Sequence, residues 1–221
     1  MNEVVGDILP LAVAAGLSPI PLIAAVLIVM SAKPRLAGAA FAVGWVLGCS
    51  LVVLAGAVAA GLLQNNDPAS TPTILAVVRI VFGGVLLVLA VRKVAAARGV
   101  EPQLPGWMSG LMSASPARSI GLGLVLSAAN PKNALLGIAA GVSIGSAQIQ
   151  TSAALVAGVL YVAIASVAVV AIVLAAVVAP RRAARVLGAL RDWLTLHNTA
   201  IMAVLLVAFG FVLIGKGLEA L

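Results

Sequence analysis

Asn130-Pro131-Lys132-Asn133 places a lysine and two amides in the middle of an apolar run from Ile120 to Val142. An ammonium beside amides offers charge and hydrogen-bond donors to an anionic or zwitterionic group. The run from Val4 to Met30 is interrupted in the same way by Ser18-Pro19-Ile20-Pro21. Serine and asparagine cap helix N-termini, and proline suits the first helical turn. Half-helices starting near Pro19 and Pro131 would therefore aim free N–H groups and positive dipole ends at the membrane centre. The half-helices ending there contribute carbonyls, so the site is mixed, and Lys132 tips it toward an anion. The candidate substrate-binding residues are Lys132, Asn130, Pro131, Asn133, Ser18, Pro19 and Pro21, with Arg79 as an outlying cation.

Each candidate has a purely structural alternative. A lysine at a helix centre costs ~2.5–3.5 kcal/mol on insertion scales, so a compensating role is expected. That role is either substrate binding or bonding to the carbonyls that the break sets free. Coupling to protons rests only on Lys132, the one charged group deep in a span. Asn130 and Asn133 bind substrate or cap the broken helix. Arg79, about two turns inside its span, snorkels outward or pairs with Asp7. Tyr161 and Ser166 are polar points that simple packing also explains.

The elements holding these residues follow from composition. The 221 residues are 63% hydrophobic and 9% charged, against about a quarter charged in soluble domains. Several apolar runs of about 20 residues mark a polytopic all-α membrane protein. Six spans emerge: 4–30, 36–63, 73–91, 118–144, 152–179 and 199–217, the first and fourth broken. The acidic start lacks a signal peptide's basic region, so the first run is expected to be retained. Cys49 and His197 are the only cysteine and histidine, which argues against a disulfide or a cysteine-based metal site.

Two connecting stretches carry an apolar face. Trp107, Met108, Leu111 and Met112 suggest a short segment on the membrane surface. Arg181 to Leu194 has Val186, Leu187, Leu190, Trp193 and Leu194 on one side and is expected to lie flat at headgroup level. Gly38, Gly44 and Gly48 fit close helix packing better than binding.

Charge sets the orientation. Lys33 and Arg35 follow span one; Arg92, Lys93, Arg98 and Arg118 follow span three; Arg181, Arg182, Arg185 and Arg191 follow span five. The opposite side holds Glu3, Asp7, Asp67 and Glu219, with Lys216 as its one basic residue. Basic linkers stay cytoplasmic, so both termini are expected outside the plasma membrane. This distribution accounts for the pI near 10.9 without nucleic acid.

Ser18-Pro19 and Asn130-Pro131 lie 112 residues apart, about half the chain. Each heads an apolar half-span, a short link and a glycine-containing span, with Gly44 and Gly48 in one half and Gly158 in the other. Three spans per half oblige the second unit to enter from the opposite side. This is the 3+3 inverted repeat of secondary transporters, with the site at the midplane. The expected division is 1–95 for the first repeat, 96–117 for a cytoplasmic linker and 118–221 for the second repeat, which includes the amphipathic segment 181–196. No carboxylate pair lies inside a span, and HExxH, Walker and dinucleotide motifs are absent, so an enzyme is not expected.

Leu17-Ser18-Pro19-Ile20-Pro21-Leu22, Lys33-Pro34-Arg35 and Ala42-Val43-Gly44-Trp45-Val46-Leu47-Gly48 resemble the first half of the LysE superfamily of small exporters. Asn130-Pro131-Lys132-Asn133-Ala134-Leu135-Leu136 is similar to its Asn-Pro-Lys signature. Within it the chain most resembles the GAP-like peptidoglycolipid- or sulfolipid-addressing proteins of actinobacteria, over nearly its whole length. Related thiol-redox carriers need cysteines where Ser18 and Asn130 stand, and metal exporters need ligands that the spans lack. The resemblance implies export of an envelope lipid or glycolipid, with membrane lipids and a homodimer or accessory envelope-lipid export protein as partners and no cofactor. Amino-acid or small-metabolite export, and a non-transporting scaffold for envelope lipid assembly, are the rival expectations.

Overall fold

The computed structural model describes residues 2–31, 33–66, 71–97 and 106–220. They form eight α-helices: α1 (Asn2–Gly16), α2 (Pro19–Val29), α3 (Pro34–Asn66), α4 (Thr71–Ala96), α5 (Pro116–Leu124), α6 (Pro131–Gly145), α7 (Thr151–Val178) and α8 (Pro180–Leu218). A 3-10 segment spans Gly106–Ser113, and a π-helical turn, Val125–Ala129, extends α5. A helix satisfies its backbone polar groups internally, the condition hydrocarbon imposes on any spanning segment.

α3, α4, α7 and α8 are each long and apolar enough to cross a bilayer. α1 and α2 meet that test together, as a pair bent by 51°. Pro116–Ala129 is a shorter apolar helix, continued beyond Asn130 by α6. This is a membrane protein.

Helix packing is reciprocal. α3 lies along α5 and α6, α7 lies along α1 and α2, and α4 pairs with α8. The α3 seam is lined by small residues. A Cβ on Gly44 would collide with the Ile120 carbonyl, and one on Gly141 with the Val53 carbonyl. Small residues let helix backbones approach this closely, as the sequence suggested for Gly44 and Gly48.

This packing fixes the depth of the breaks. A Cβ on Gly16, the last residue of α1, would stand 3.1 Å from the carbonyl oxygen of Ala165, at the middle of α7. A Cβ on Gly48 would stand 2.9 Å from the carbonyl oxygen of Leu124, just before the π-helical turn. Gly48 is itself near the middle of α3. Each break is therefore level with the centre of a long neighbouring helix.

Two expectations about surface segments need correction. Met108 and Leu111 are buried in the protein core, and the 3-10 segment packs on α2 instead of resting on a membrane surface. The side chains of Trp107 and Met112, and residues 98–105 of the linker, lie outside the described residues. The stretch 181–196 is no separate flat helix but the first part of α8, continuous with the last span. After Pro180 it contains no proline, and Thr195 Oγ1 and His197 Nδ1 bond within the helix, to Arg191 O and Trp193 O. Its buried stripe is Ala183, Leu187 and Leu194, while Val186 and Trp193 are exposed. Periodicity found an apolar face; protein covers much of it.

Candidate functional site

Both breaks begin with the same local chemistry. Ser18 and Asn130 adopt extended backbone, with φ/ψ of −78°/113° and −71°/117°, and each precedes a proline in the first turn of the next helix. Asn130 Oδ1 accepts from the Lys132 N–H at 3.1 Å, an N-cap bond. The Ser18 side chain makes no such cap.

The Ser18 hydroxyl crosses to the other break instead, donating to Asn133 Oδ1 at 2.8 Å. Asn133 Nδ2 donates to the Leu126 carbonyl at 3.2 Å, inside the π-helical turn. Lys132 Nζ donates to the Ala14 carbonyl at 2.7 Å. Ala14 is in the last turn of α1, where carbonyls lack a following N–H partner. An ammonium there also opposes the negative end of the α1 dipole. The first turn of α6 thus bonds backbone carbonyls on both sides of the site.

The cluster is closed. Ser18, Lys132 and Asn133 are 1%, 3% and 2% exposed. Pro19 and Pro21 are buried, whereas Asn130 is half-buried and Pro131 exposed. Among the described residues no carboxylate pairs with Lys132, and no group of acidic, histidine or cysteine side chains could hold a metal ion. One of the three ammonium donors has a protein acceptor, and the charge is otherwise uncompensated.

The breaks thus gather one cation and several amide and hydroxyl groups into a buried polar cluster. The family described as Sap, sulfolipid-1-addressing protein, matches residues 8–219. The chain belongs to this family. The match covers both breaks and all of α8, and it bears out the resemblance to sulfolipid-addressing proteins. No curated protein and no solved structure matches the chain.

The remaining candidates of this sulfolipid-addressing family member fall elsewhere. Arg79 is half-buried in α4, contributes no bond to the cluster, and has no ion pair among the described residues. Asp7 pairs with Lys216, joining the start of α1 to the end of α8, so the alternative Arg79–Asp7 pair does not form. Trp45 was not singled out as a site residue. Its Nε1 donates to the Ala165 carbonyl at 3.2 Å, bracing α3 against α7 beside Gly16. A lone tryptophan deep inside an apolar run was the available signal, since membrane tryptophans usually sit at interfaces.

Proposed function

We propose that this protein is a secondary-type exporter of an anionic or zwitterionic envelope lipid or glycolipid, working without enzymatic chemistry or cofactor. Its six spans form a 3+3 inverted repeat with both termini outside the plasma membrane. The headgroup binds where Ser18 and Lys132–Asn133 now bond across the breaks. The observation that carries this reading is the pair of cross-break bonds, Lys132 to Ala14 and Ser18 to Asn133, buried at mid-helix depth. Reciprocal packing of α3 on α5–α6 and of α7 on α1–α2 supports the repeat, because it pairs each half's second span with the other half's broken one. Membership of the sulfolipid-1-addressing family supports a lipid over an amino acid.

In this closed arrangement the protein supplies its own partners to every break residue. Transport then requires α1 to part from the start of α6, so that a headgroup replaces the Ala14 carbonyl at Lys132. Lipid profiling of a deletion strain tests the reading. Surface-extractable and cell-retained glycolipids are compared after complementation with wild type, Lys132→Met, or Arg181→Gln/Arg182→Gln/Arg185→Gln. An exporter loses surface lipid with Lys132→Met and keeps it with the arginine triple variant.

The scaffold reading has one observation in its favour. α8 has 39 residues, about 58 Å at ~1.5 Å per residue, against a hydrocarbon core of ~30 Å. Its first part, with Arg181, Arg182 and Arg185 exposed, therefore reaches beyond the bilayer, where it is available to recruit a partner. That reading predicts the reverse pattern of loss. Efflux of labelled amino acids from intact cells, set beside the lipid profile, tests the metabolite alternative.

A further inference from the structure

A cavity of about 740 Å³ opens between α3 and α7. Its volume is within the ~300–1,000 Å³ usual for ligand sites. The walls are mostly aliphatic, with Val53, Leu54, Leu155 and Val159 prominent and Ser50, Thr151 and Ser166 as the hydroxyl residues, and among the described residues no aromatic ring lines it. Leu54, Leu155 and Val159 are 61%, 66% and 68% exposed on helices of membrane-spanning apolarity, so the mouth faces hydrocarbon. Gly158 lies in the wall, and a Cβ added there would meet nothing within 4 Å. In α3 the glycines let another helix in; here the glycine leaves space.

One polar atom in this cavity is unexplained. Ser166 is among the lining residues and 4% exposed, and among the described residues its buried hydroxyl has no hydrogen-bond partner. Membrane-helix serines commonly bond a carbonyl one turn back, as Ser50 does to Val46 at 2.8 Å. Ser166 does not, and an unpaired buried hydroxyl is unfavourable unless a ligand completes it. Its neighbour Ala165 accepts the Trp45 bond and touches Gly16, so the cavity and the break cluster lie on adjacent faces of one helix turn.

We infer that the α3–α7 cleft holds an acyl chain of a bilayer lipid, with Ser166 hydrogen-bonded to the polar linkage that heads the chain. The inference rests on the lipid reading above and supplies the tail site to go with its headgroup site. A mostly aliphatic wall, a mouth in hydrocarbon and one buried hydroxyl left unpaired together match a chain that carries one polar end.

The test is photolabelling of the purified full chain in nanodiscs containing phosphatidylglycerol with a diazirine in its acyl tail. Labelling is mapped by peptide mass spectrometry. Peptides covering 46–57 and 151–170 should label several-fold more than the α4 surface carrying Val81 and Val88, which is also exposed. Gly158→Leu should cut cleft labelling by about fivefold, because its side chain displaces one or two methylenes of the occupant. Gly158→Ala should give a smaller loss. The Cβ of either variant enters open space, and an unchanged thermal midpoint checks that both fold. Ser166→Ala should lower cleft labelling about twofold through the lost hydrogen bond. Equal labelling of the cleft and the α4 surface, unaffected by Gly158→Leu, would mean only annular lipid and overturn the inference. Efficient disulfide crosslinking between two copies of Leu155→Cys would put a second chain there and overturn it as well. Binding is read without export, so cleft labelling with no loss of surface lipid in Lys132→Met would sink the exporter reading alone.

Discussion

Lys132→Met distinguishes a lysine that braces the closed state from one that serves transport. The substitution removes the 2.7 Å bond to the Ala14 carbonyl and keeps most of the side-chain length. A charge-assisted hydrogen bond contributes ~1.5–3 kcal/mol, and that is lost. Against it, the variant no longer holds a cation with no carboxylate partner near the middle of a broken span, a situation costing ~2.5–3.5 kcal/mol. The two terms oppose and are similar in size, so stability should change by no more than about 1 kcal/mol. For a chain of this length that is about 2–4 °C in thermal midpoint. Export should nevertheless fall at least about tenfold, because a methionine cannot hold an anion in place of the Ala14 carbonyl. The assay pairs thermal unfolding in nanodiscs with surface-lipid profiling of the complemented strain, at matched expression. A midpoint drop of about 8 °C or more with export falling in proportion would show that the lysine is a strut. Wild-type export from Lys132→Met, with an unchanged pH dependence, would refute both the binding role and proton coupling.

Other predictions concern the framework around the site. Gly44→Ala and Gly141→Ala drive a methyl group into the backbone carbonyls of Ile120 and Val53, and each should cost ~1–3 kcal/mol, whereas Gly84→Ala, facing open space, should not destabilise; thermal midpoints of the three separate these outcomes. Ser18→Ala leaves Asn133 Oδ1 without its donor, and a double-mutant cycle with Asn133→Leu should return a coupling of ~0.5–1.5 kcal/mol between the two breaks. Trp45→Phe removes the bond to the Ala165 carbonyl while keeping an aromatic ring, and should cost about 1 kcal/mol by the same unfolding assay. The Asp7–Lys216 pair is about one-third exposed, so Asp7→Asn should change stability by less than about 1 kcal/mol, and raising salt should shrink even that difference.

What the sequence made legible follows from what local chemistry can encode. Proline has no N–H, so Pro19 and Pro131 mark breaks whatever surrounds them. The preceding Ser18 and Asn130 mark which side of each break a helix starts on. Long apolar runs mark the membrane class, and the glycines mark a tight seam. Partner identity is another matter. The bonds from Lys132 to Ala14 and from Ser18 to Asn133 join residues 118 and 115 positions apart, and no local pattern names an acceptor at that separation. Amphipathic spacing has the same limit: it showed that Leu187 and Leu194 share a face but not that protein covers it. The cleft was least visible of all. It is a place where α3 and α7 fail to meet, and only the isolated polarity of Ser166 pointed toward it.

Strut and binder are two states of one group at Lys132. With α1 in place, the ammonium completes a carbonyl that the break at Ser18 orphaned. If α1 withdraws, both the ammonium and that carbonyl lose their partner inside hydrocarbon, where an unsatisfied polar group is expensive. On the exporter reading, an anionic headgroup offsets the larger of these two costs and water admitted by the movement offsets the smaller. An empty transporter would therefore resist opening, and a loaded one would not. That asymmetry needs a positive charge that is paired only to backbone. A carboxylate beside Lys132 would neutralise it in both states and remove the dependence on substrate. A carboxylate introduced beside the ammonium should then abolish export, read by surface-lipid profiling at matched expression.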